Sequence, residues 1–230
     1  MEKDVKKALD DIDSVNPFAT YLSDSTLSRV GGWIDTGSYV LNAIVSGSIH
    51  GGIPKGRVTM LAGESMTGKS LFVMKILAAA QKEGLVPVIF DTENAIDPEG
   101  AERLGLDVSN VKYVPCISIE QTRNALYKFL TSVKEKGLEG KFIIAIDSLG
   151  NLQSELSLAR MGKDSTSTDM GTNARAMKSL MQTCTNLGAV TQTTILCTNH
   201  VYDNPAALFP SIEKNMPGGK SCVYLPSVTI

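Results

Sequence analysis

Residues 63–70 read Gly-Glu-Ser-Met-Thr-Gly-Lys-Ser. This is the spacing G-x-x-x-x-G-K-[ST], in which a glycine-rich turn aims successive backbone N–H groups at phosphate oxygens. Gly63 and Gly68 supply the backbone freedom the curl needs. A helix starting at the lysine adds partial positive charge at the same point. Lys69 is then placed to reach the β- and γ-phosphates of a bound nucleotide, and the Ser70 hydroxyl to hold Mg²⁺. The alternative is a glycine-rich strand-to-helix turn that binds nothing. The flanks oppose it: residues 57–62 are a short, β-rich apolar run, and residues 71–80 are helix-forming and largely apolar.

Two further apolar runs end in acids. Residues 85–91 read as a buried strand closing on Asp91, with Glu93 two residues on. A carboxylate just past a strand's C-terminal end lies on the edge where open α/β sheets bind ligands. Glu93 is thus a candidate base for the water that attacks a γ-phosphate; otherwise it is a solvated loop residue or a helix cap. Residues 141–147 close on Asp147, which can hold magnesium through water beside Ser70.

The chain must bring these groups together. Its 230 residues allow one large domain or two small ones around an ample core. A 43% hydrophobic, 20% charged composition is that of a soluble globular protein. The net charge of −2 gives no global basic field, so any nucleic-acid binding rests on local patches. Cys116, Cys184, Cys197 and Cys222 lack C-x-x-C spacing and read as reduced core thiols of a cytoplasmic protein. His50 and His200 are too few for a metal site. No run approaches the roughly 18 apolar residues of a membrane span, and no signal peptide opens the chain.

Val5, Ala8, Leu9, Ile12 and Val15 put an apolar stripe on a helix over residues 1–15, to pack on its own domain or on a partner. Residues 21–33 read as a connection, and Ser38 as a cap for a helix over 39–45. Further helices are expected from Asp97-Pro98 to about Leu104, and from Ser118, in capping-box form with Gln121, to about Lys136. Strands are expected over 111–114 and 193–199, with the last running to His200. Residues 151–172 and 201–220 lose periodicity and read as long functional loops. A helix over 173–187 carries Arg175 and Lys178 near its start, where cations oppose the helix dipole and invite an anionic partner. Residues 221–230 read as a strand. Alternating strands and helices predict an α/β fold with a largely parallel, doubly wound sheet.

Six blocks then resemble RecA-type recombinases in order: residues 36–38, 51–57, 63–70, 90–98, 146–149 and 198–200. Asn199-His200, together with residues 147–152, looks most like the bacteriophage branch. The resemblance covers residues 34–230. It implies a RecA-like ATPase core over 34–230, possibly truncated at its C-terminus, preceded over 1–33 by a helix and linker that resemble the family's polymerisation segment in position. It implies ATP and Mg²⁺ as cofactors, with ATP along Gly63, Glu64, Ser65, Met66, Thr67, Gly68, Lys69, Ser70 and Leu71. Glu93 matches the catalytic glutamate, and Asp97 the aspartate that contacts adenine. Gly100 stands where a stacking tyrosine is often found. His200 matches the polar switch that senses the γ-phosphate. Residues 151–171 and 201–220 match the two loops that hold single-stranded DNA, with Met170, Gly171, Arg175, Gly218 and Gly219 at family contacts. Lys178 and Lys220 join Arg175 as phosphate-facing cations. Val223 replaces a lysine of bacterial members, and cations that a neighbouring subunit supplies lie on sequence past Lys220.

The function implied is ATP-dependent homologous pairing and strand exchange in recombination and repair. The partners implied are single-stranded DNA, homologous duplex, further copies in a filament, and mediator or single-strand-binding proteins, in a host cytoplasm without a membrane. A hexameric helicase motor on a related core, or a regulatory ATPase that never grips DNA, would share the phosphate loop.

Overall fold

The computed structural model describes residues 3–161 apart from 17 and 26, then 170–204 and 214–230. The order of elements begins with helix α1 (Lys3–Val15), strand β1 (Trp33–Ile34), helix α2 (Tyr39–Ser46), strand β2 (Ile53–Pro54), strand β3 (Val58–Gly63) and helix α3 (Lys69–Lys82). It continues through β4 (Val86–Asp91), α4 (Pro98–Arg103), β5 (Lys112–Pro115), α5 (Ile119–Glu135) and β6 (Phe142–Asp147). Then come α6 (Glu155–Met161), α7 (Met170–Val190), β7 (Thr194–His200), β8 (Tyr202–Asp203), β9 (Lys214–Asn215), α8 (Lys220–Tyr224) and β10 (Val228–Thr229).

Six strands form one sheet in the order β10-β3-β7-β6-β4-β5, and every pairing in it is parallel. Strand residues alternate between two cores, as a period of two requires. Met60, Val88, Phe90, Ile144, Ile146 and Cys197 pack with Leu126 and Leu130 of α5 and with Leu180 and Met181 of α7. Leu61, Ile89, Ile143, Ala145 and Leu196 pack with Val73, Ile76 and Leu77 of α3 on the other face. Both faces are covered, so the strands are near-continuous apolar runs and the doubly wound α/β expectation holds. Each fully buried Leu, Ile or Phe contributes about 1.5–3 kcal/mol to this arrangement.

Local signals agree with the elements. Ser38 caps α2 by accepting from Leu41 N–H, and Ser118 caps α5 by accepting from Gln121 N–H at 3.0 Å. Asp97 caps α4 through Glu99 N–H, with Pro98 in the first turn. Gly52 is required where β2 meets β1: its φ is +139°, and a Cβ there would lie 1.8 Å from the Ile34 carbonyl oxygen. All four cysteines are free and buried. Among the described residues, no helix is long and apolar enough to cross a membrane.

The apolar stripe of α1 is not buried: Val5, Leu9, Ile12 and Val15 are all exposed. The connection behind it is nevertheless fastened to the sheet domain. Arg57 donates to the Leu27 carbonyl at 2.6 Å, and Lys134 Nζ lies 4.6 Å from the Phe18 ring centroid.

Three expectations are corrected. Residues 151–172 are not wholly irregular, because Glu155–Met161 is helical and α7 starts at Met170 rather than Asn173. The polar residues there obscured the pattern, yet Asn173 accepts from Ser154 N–H and the Ser157 hydroxyl and ties the two helices together. Residues 162–169, the centre of the first expected loop, lie outside the described residues, as do 205–213 of the second. What is described of the second stretch includes a short antiparallel pair, Tyr202 with Asn215 and Asp203 with Lys214. Finally, residues 221–230 are not one strand. Lys220–Tyr224 is helical, which drives Cys222 into the core, and only Val228–Thr229 pairs beside β3. The β propensity of Val223 and Tyr224 yields to that packing, and both remain exposed.

Candidate active site

Parallel pairing makes every strand of the sheet end on one edge, and register sets which ends are neighbours. Gly63 of β3 pairs with His200 of β7, and Asp91 of β4 with Asp147 of β6. The two apolar runs that end in acids therefore finish side by side, next to the turn into α3.

That turn has the geometry of a phosphate cradle. Gly68 at the N-terminus of α3 has φ +89°, which favours glycine, and Met66 at the turn's tip has φ 65° with its side chain fully exposed. A Cβ on Gly63 would approach the Thr67 hydroxyl to 2.8 Å, so a side chain there would force Thr67 to shift. Thr67 Oγ1 donates to the Glu64 carbonyl at 2.9 Å. Lys69 Nζ donates to the Gly63 and Glu64 carbonyls at 2.9 and 2.7 Å, which leaves one of its three N–H groups for an anion.

Beside the loop opens a cavity of ≈ 420 Å³. Ser70, Glu93 and Asp147 line it, and Leu71, Asp97 and Gly100 line it further along. Its size is that of a small-molecule site, with Ser70 next to the loop and Asp97 and Gly100 at α4. Asp97 Oδ1 is held by Glu99 N–H, while a Cβ on residue 100 would crowd Asp97 Oδ2 to 2.7 Å. Glycine at position 100 thus leaves that carboxylate in place and its end of the cavity uncrowded.

Glu93 is held on two sides. The Ser148 hydroxyl donates to Glu93 Oε1 at 2.7 Å, and His200 Nε2 lies 3.3 Å from the same oxygen. His200 Nδ1 is buried without a partner. Thr92 and Ser148 clamp the two strand ends: Ser148 N–H donates to Thr92 Oγ1 at 2.9 Å, and that hydroxyl donates to the Ser148 carbonyl at 2.8 Å. Buried Asp91 braces the turn carrying Glu93 by accepting from the Glu93 and Asn94 N–H groups, both at 2.9 Å. Thr198 Oγ1 donates to one carboxylate oxygen of Asp147.

Ser70 and Asp147 fit magnesium by donor chemistry. Both offer hard oxygens in one cavity, and Mg²⁺ is ordinarily held by one or two protein oxygens together with phosphates and water. No group of three or more His, Cys, Asp or Glu side chains among the described residues forms a self-sufficient metal cage.

The residues expected to meet DNA lie on the side of the sheet covered by α5 and α7, on α7 and the turn into α8. Met170 and Gly171 begin α7 rather than lying in a loop. Arg175 and Lys178 are exposed on that helix, past its first turn, where the dipole no longer acts strongly on them. Gly218 and Gly219 have φ +87° and +75° and pack on α7. A Cβ on Gly218 would meet Met177, and one on Gly219 would meet Ala174. Lys220 is exposed at the start of α8, so the turn brings 218–220 against the α7 segment that carries Arg175 and Lys178. Asn199 Nδ2 donates to the Pro217 carbonyl at 3.0 Å, joining that turn to the strand that ends in His200.

Glu93, Asp147 and His200 stand out in the sequence, whereas Thr92, Ser148 and Thr198 do not. Ser148 follows a strand-end acid, a visible signal, but its meeting with Glu93 depends on the pairing of β4 with β6.

The family profile described as RecA N-terminal domain matches residues 3–230. Protein RecA of Chlorobium chlorochromatii (strain CaD3) is 32% identical over 201 residues, covering 86% of this chain and 52% of that protein. Protein RecA of Rubrobacter xylanophilus is 28% identical over 235 residues, covering 99% and 64%. Protein RecA of Aquifex aeolicus (strain VF5) is 28% identical over 197 residues, covering 86% and 53%. The chain thus spans roughly half to two thirds of the length of these curated relatives. With the phosphate loop, the strand-end acids and the parallel sheet in place, the chain belongs to the RecA family.

Proposed function

We propose that the protein is an ATP-dependent, single-stranded-DNA-binding recombinase that performs homologous pairing and strand exchange as a filament. The observation that carries this reading is that Ser70, Glu93 and Asp147 line one cavity beside the loop that carries Lys69, with His200 against Glu93 and its neighbour Asn199 bonded to Pro217 at the turn before 218–220. ATP lies along residues 63–71, with its base toward Asp97. Ser70 and, through water, Asp147 would hold Mg²⁺, which when bound would supply charge neutralisation for the phosphates. Lys69 holds the β/γ region, and Glu93 orients and deprotonates the attacking water. Ser148 and His200 fix the carboxylate that does this. His200 reports the γ-phosphate to the 218–220 turn, and single-stranded DNA lies over Met170, Gly171, Arg175, Lys178, Gly218, Gly219 and Lys220.

Residues 34–230 act as the ATPase core, and residues 1–33 dock on a neighbouring copy, which accords with the exposed stripe on α1. We propose the bacteriophage branch from the resemblance of Asn199-His200 and residues 147–152, with the protein working in a host cytoplasm with mediator and single-strand-binding proteins. The test is a joint-molecule assay with a labelled single strand and either homologous or unrelated duplex. Joint molecules are expected only with homology and ATP. A closed ring that unwinds duplex without needing homology would favour a helicase motor and overturn this reading.

A further inference from the structure

Lys214 has no part in the mechanism above, yet it sits on the phosphate loop. It pairs with Asp203 across the β8–β9 hairpin, and its Nζ lies 2.7 Å from Glu64 Oε1 and 2.5 Å from Asp203 Oδ1. Glu64 is the second residue of the phosphate loop, and its carbonyl accepts from Lys69 Nζ. Two ammonium groups therefore close on one loop residue, one on its main chain and one on its side chain. The base of the hairpin is fastened to the same loop, because Val201 N–H donates to the Gly63 carbonyl at 3.2 Å.

Stability is a poor reason for this arrangement. The side chains of Glu64 and Asp203 are 60% and 61% exposed, and ion pairs that open to water contribute little. Exchange is a better reason. A carboxylate on the rim of a phosphate loop repels an incoming polyphosphate, and Lys214 cancels that charge while the loop is empty. With two of its three N–H groups engaged, it has a third to offer an anion. Strand β8 starts two residues after His200, the side chain that meets Glu93, and its partner strand carries Lys214 onto Glu64 of the loop.

We propose that Lys214 is a triphosphate-sensing cation supplied by this chain itself. When a nucleoside triphosphate binds, the Lys214 ammonium passes from Glu64 to the terminal phosphate. A diphosphate leaves the Glu64 pair intact. This rests on the reading of residues 63–71 as a nucleotide site. Asp203 first and then Glu64 hold the pKa of Lys214 above its ordinary value.

The test is to measure dissociation constants for MgADP and for Mg²⁺ with a β,γ-imido analogue of ATP, at low fixed salt, on the wild type, Lys214→Gln, Glu64→Gln and Lys69→Ala. Lys214→Gln should weaken the triphosphate analogue about tenfold, the scale of one partly screened charge-assisted contact, and leave ADP within about twofold. Glu64→Gln keeps the lysine and frees it, so the analogue should bind several-fold more tightly. Equal loss of both ligands in Lys214→Gln, or no gain in Glu64→Gln, overturns the proposal. Lys69→Ala separates this from the reading beneath it, since it should lose both nucleotides. A wild type that binds neither nucleotide overturns both.

Discussion

On the mechanism proposed above, replacing Glu93 by glutamine should remove the base and almost nothing else. Glu93 Oε1 accepts from the Ser148 hydroxyl at 2.7 Å and lies 3.3 Å from His200 Nε2, and a glutamine carbonyl oxygen can take the same place. Each contact is partly exposed and is worth about 1 kcal/mol or less as a neutral hydrogen bond, so neither folding nor ATP affinity should move much. What disappears is proton acceptance from the attacking water. Loss of a general base costs about 10²- to 10⁴-fold in rate, or roughly 3 to 5 kcal/mol of barrier. The assay is equilibrium binding of ATP to purified Glu93→Gln, followed by turnover at saturating ATP with and without single-stranded DNA. ATP affinity within about threefold of wild type and turnover down at least a hundredfold are expected. Turnover within about tenfold of wild type, with binding intact, would show that another group is the base.

Lys69→Ala should abolish tight ATP binding, because a charge-assisted phosphate contact is lost where Lys69 also organises the Gly63 and Glu64 carbonyls; wild-type hydrolysis would refute the phosphate-loop assignment. Gly52→Ala forces a Cβ into the Ile34 carbonyl at positive φ and should cost on the order of 3 kcal/mol in urea denaturation; a loss below about 1 kcal/mol would contradict the β1–β2 packing. Asp35 is held below its ordinary value of 3.8, mainly by the Asn42 side-chain hydrogen bond at 2.7 Å. A depressed folded-state pKa stabilises above the unfolded pKa and loses that effect as pH falls through the folded value. The stability gap between wild type and Asp35→Ala should therefore be full above about pH 5 and shrink below about pH 4. A gap that grows on acidification would reverse the sign.

The parts of the site that were legible in the sequence are those written by local rules. The phosphate loop is a spacing, the caps at Ser38, Asp97 and Ser118 are side chain to backbone contacts within three residues, and Asp91, Glu93 and Asp147 stand just where apolar runs stop. Contacts that depend on register were not legible. Ser148 meets Glu93 across 55 positions, and Lys214 meets Glu64 across 150, through a strand of two residues that carries no periodicity of its own. The helix at Lys220–Tyr224 was hidden by β-forming residues, because what bends the chain there is the burial of Cys222 against α7 and β7. The stripe on α1 was legible as a stripe, but its exposure is a tertiary fact that no spacing contains.

The central claim joins two sites: ATP at residues 63–71 switches on a grip for single-stranded DNA at 170–178 and 218–220. Binding of a labelled single strand should be measured over a range of salt, with and without ATP, for the wild type and for a variant with Arg175, Lys178 and Lys220 all changed to Ala. The account predicts tight binding only with ATP, little preference among unrelated strands, and a slope of log K against log salt that falls by about 2 in the variant, since each phosphate contact on a single strand contributes about 0.7. Binding that ignores ATP, or a variant with an unchanged slope, would contradict it.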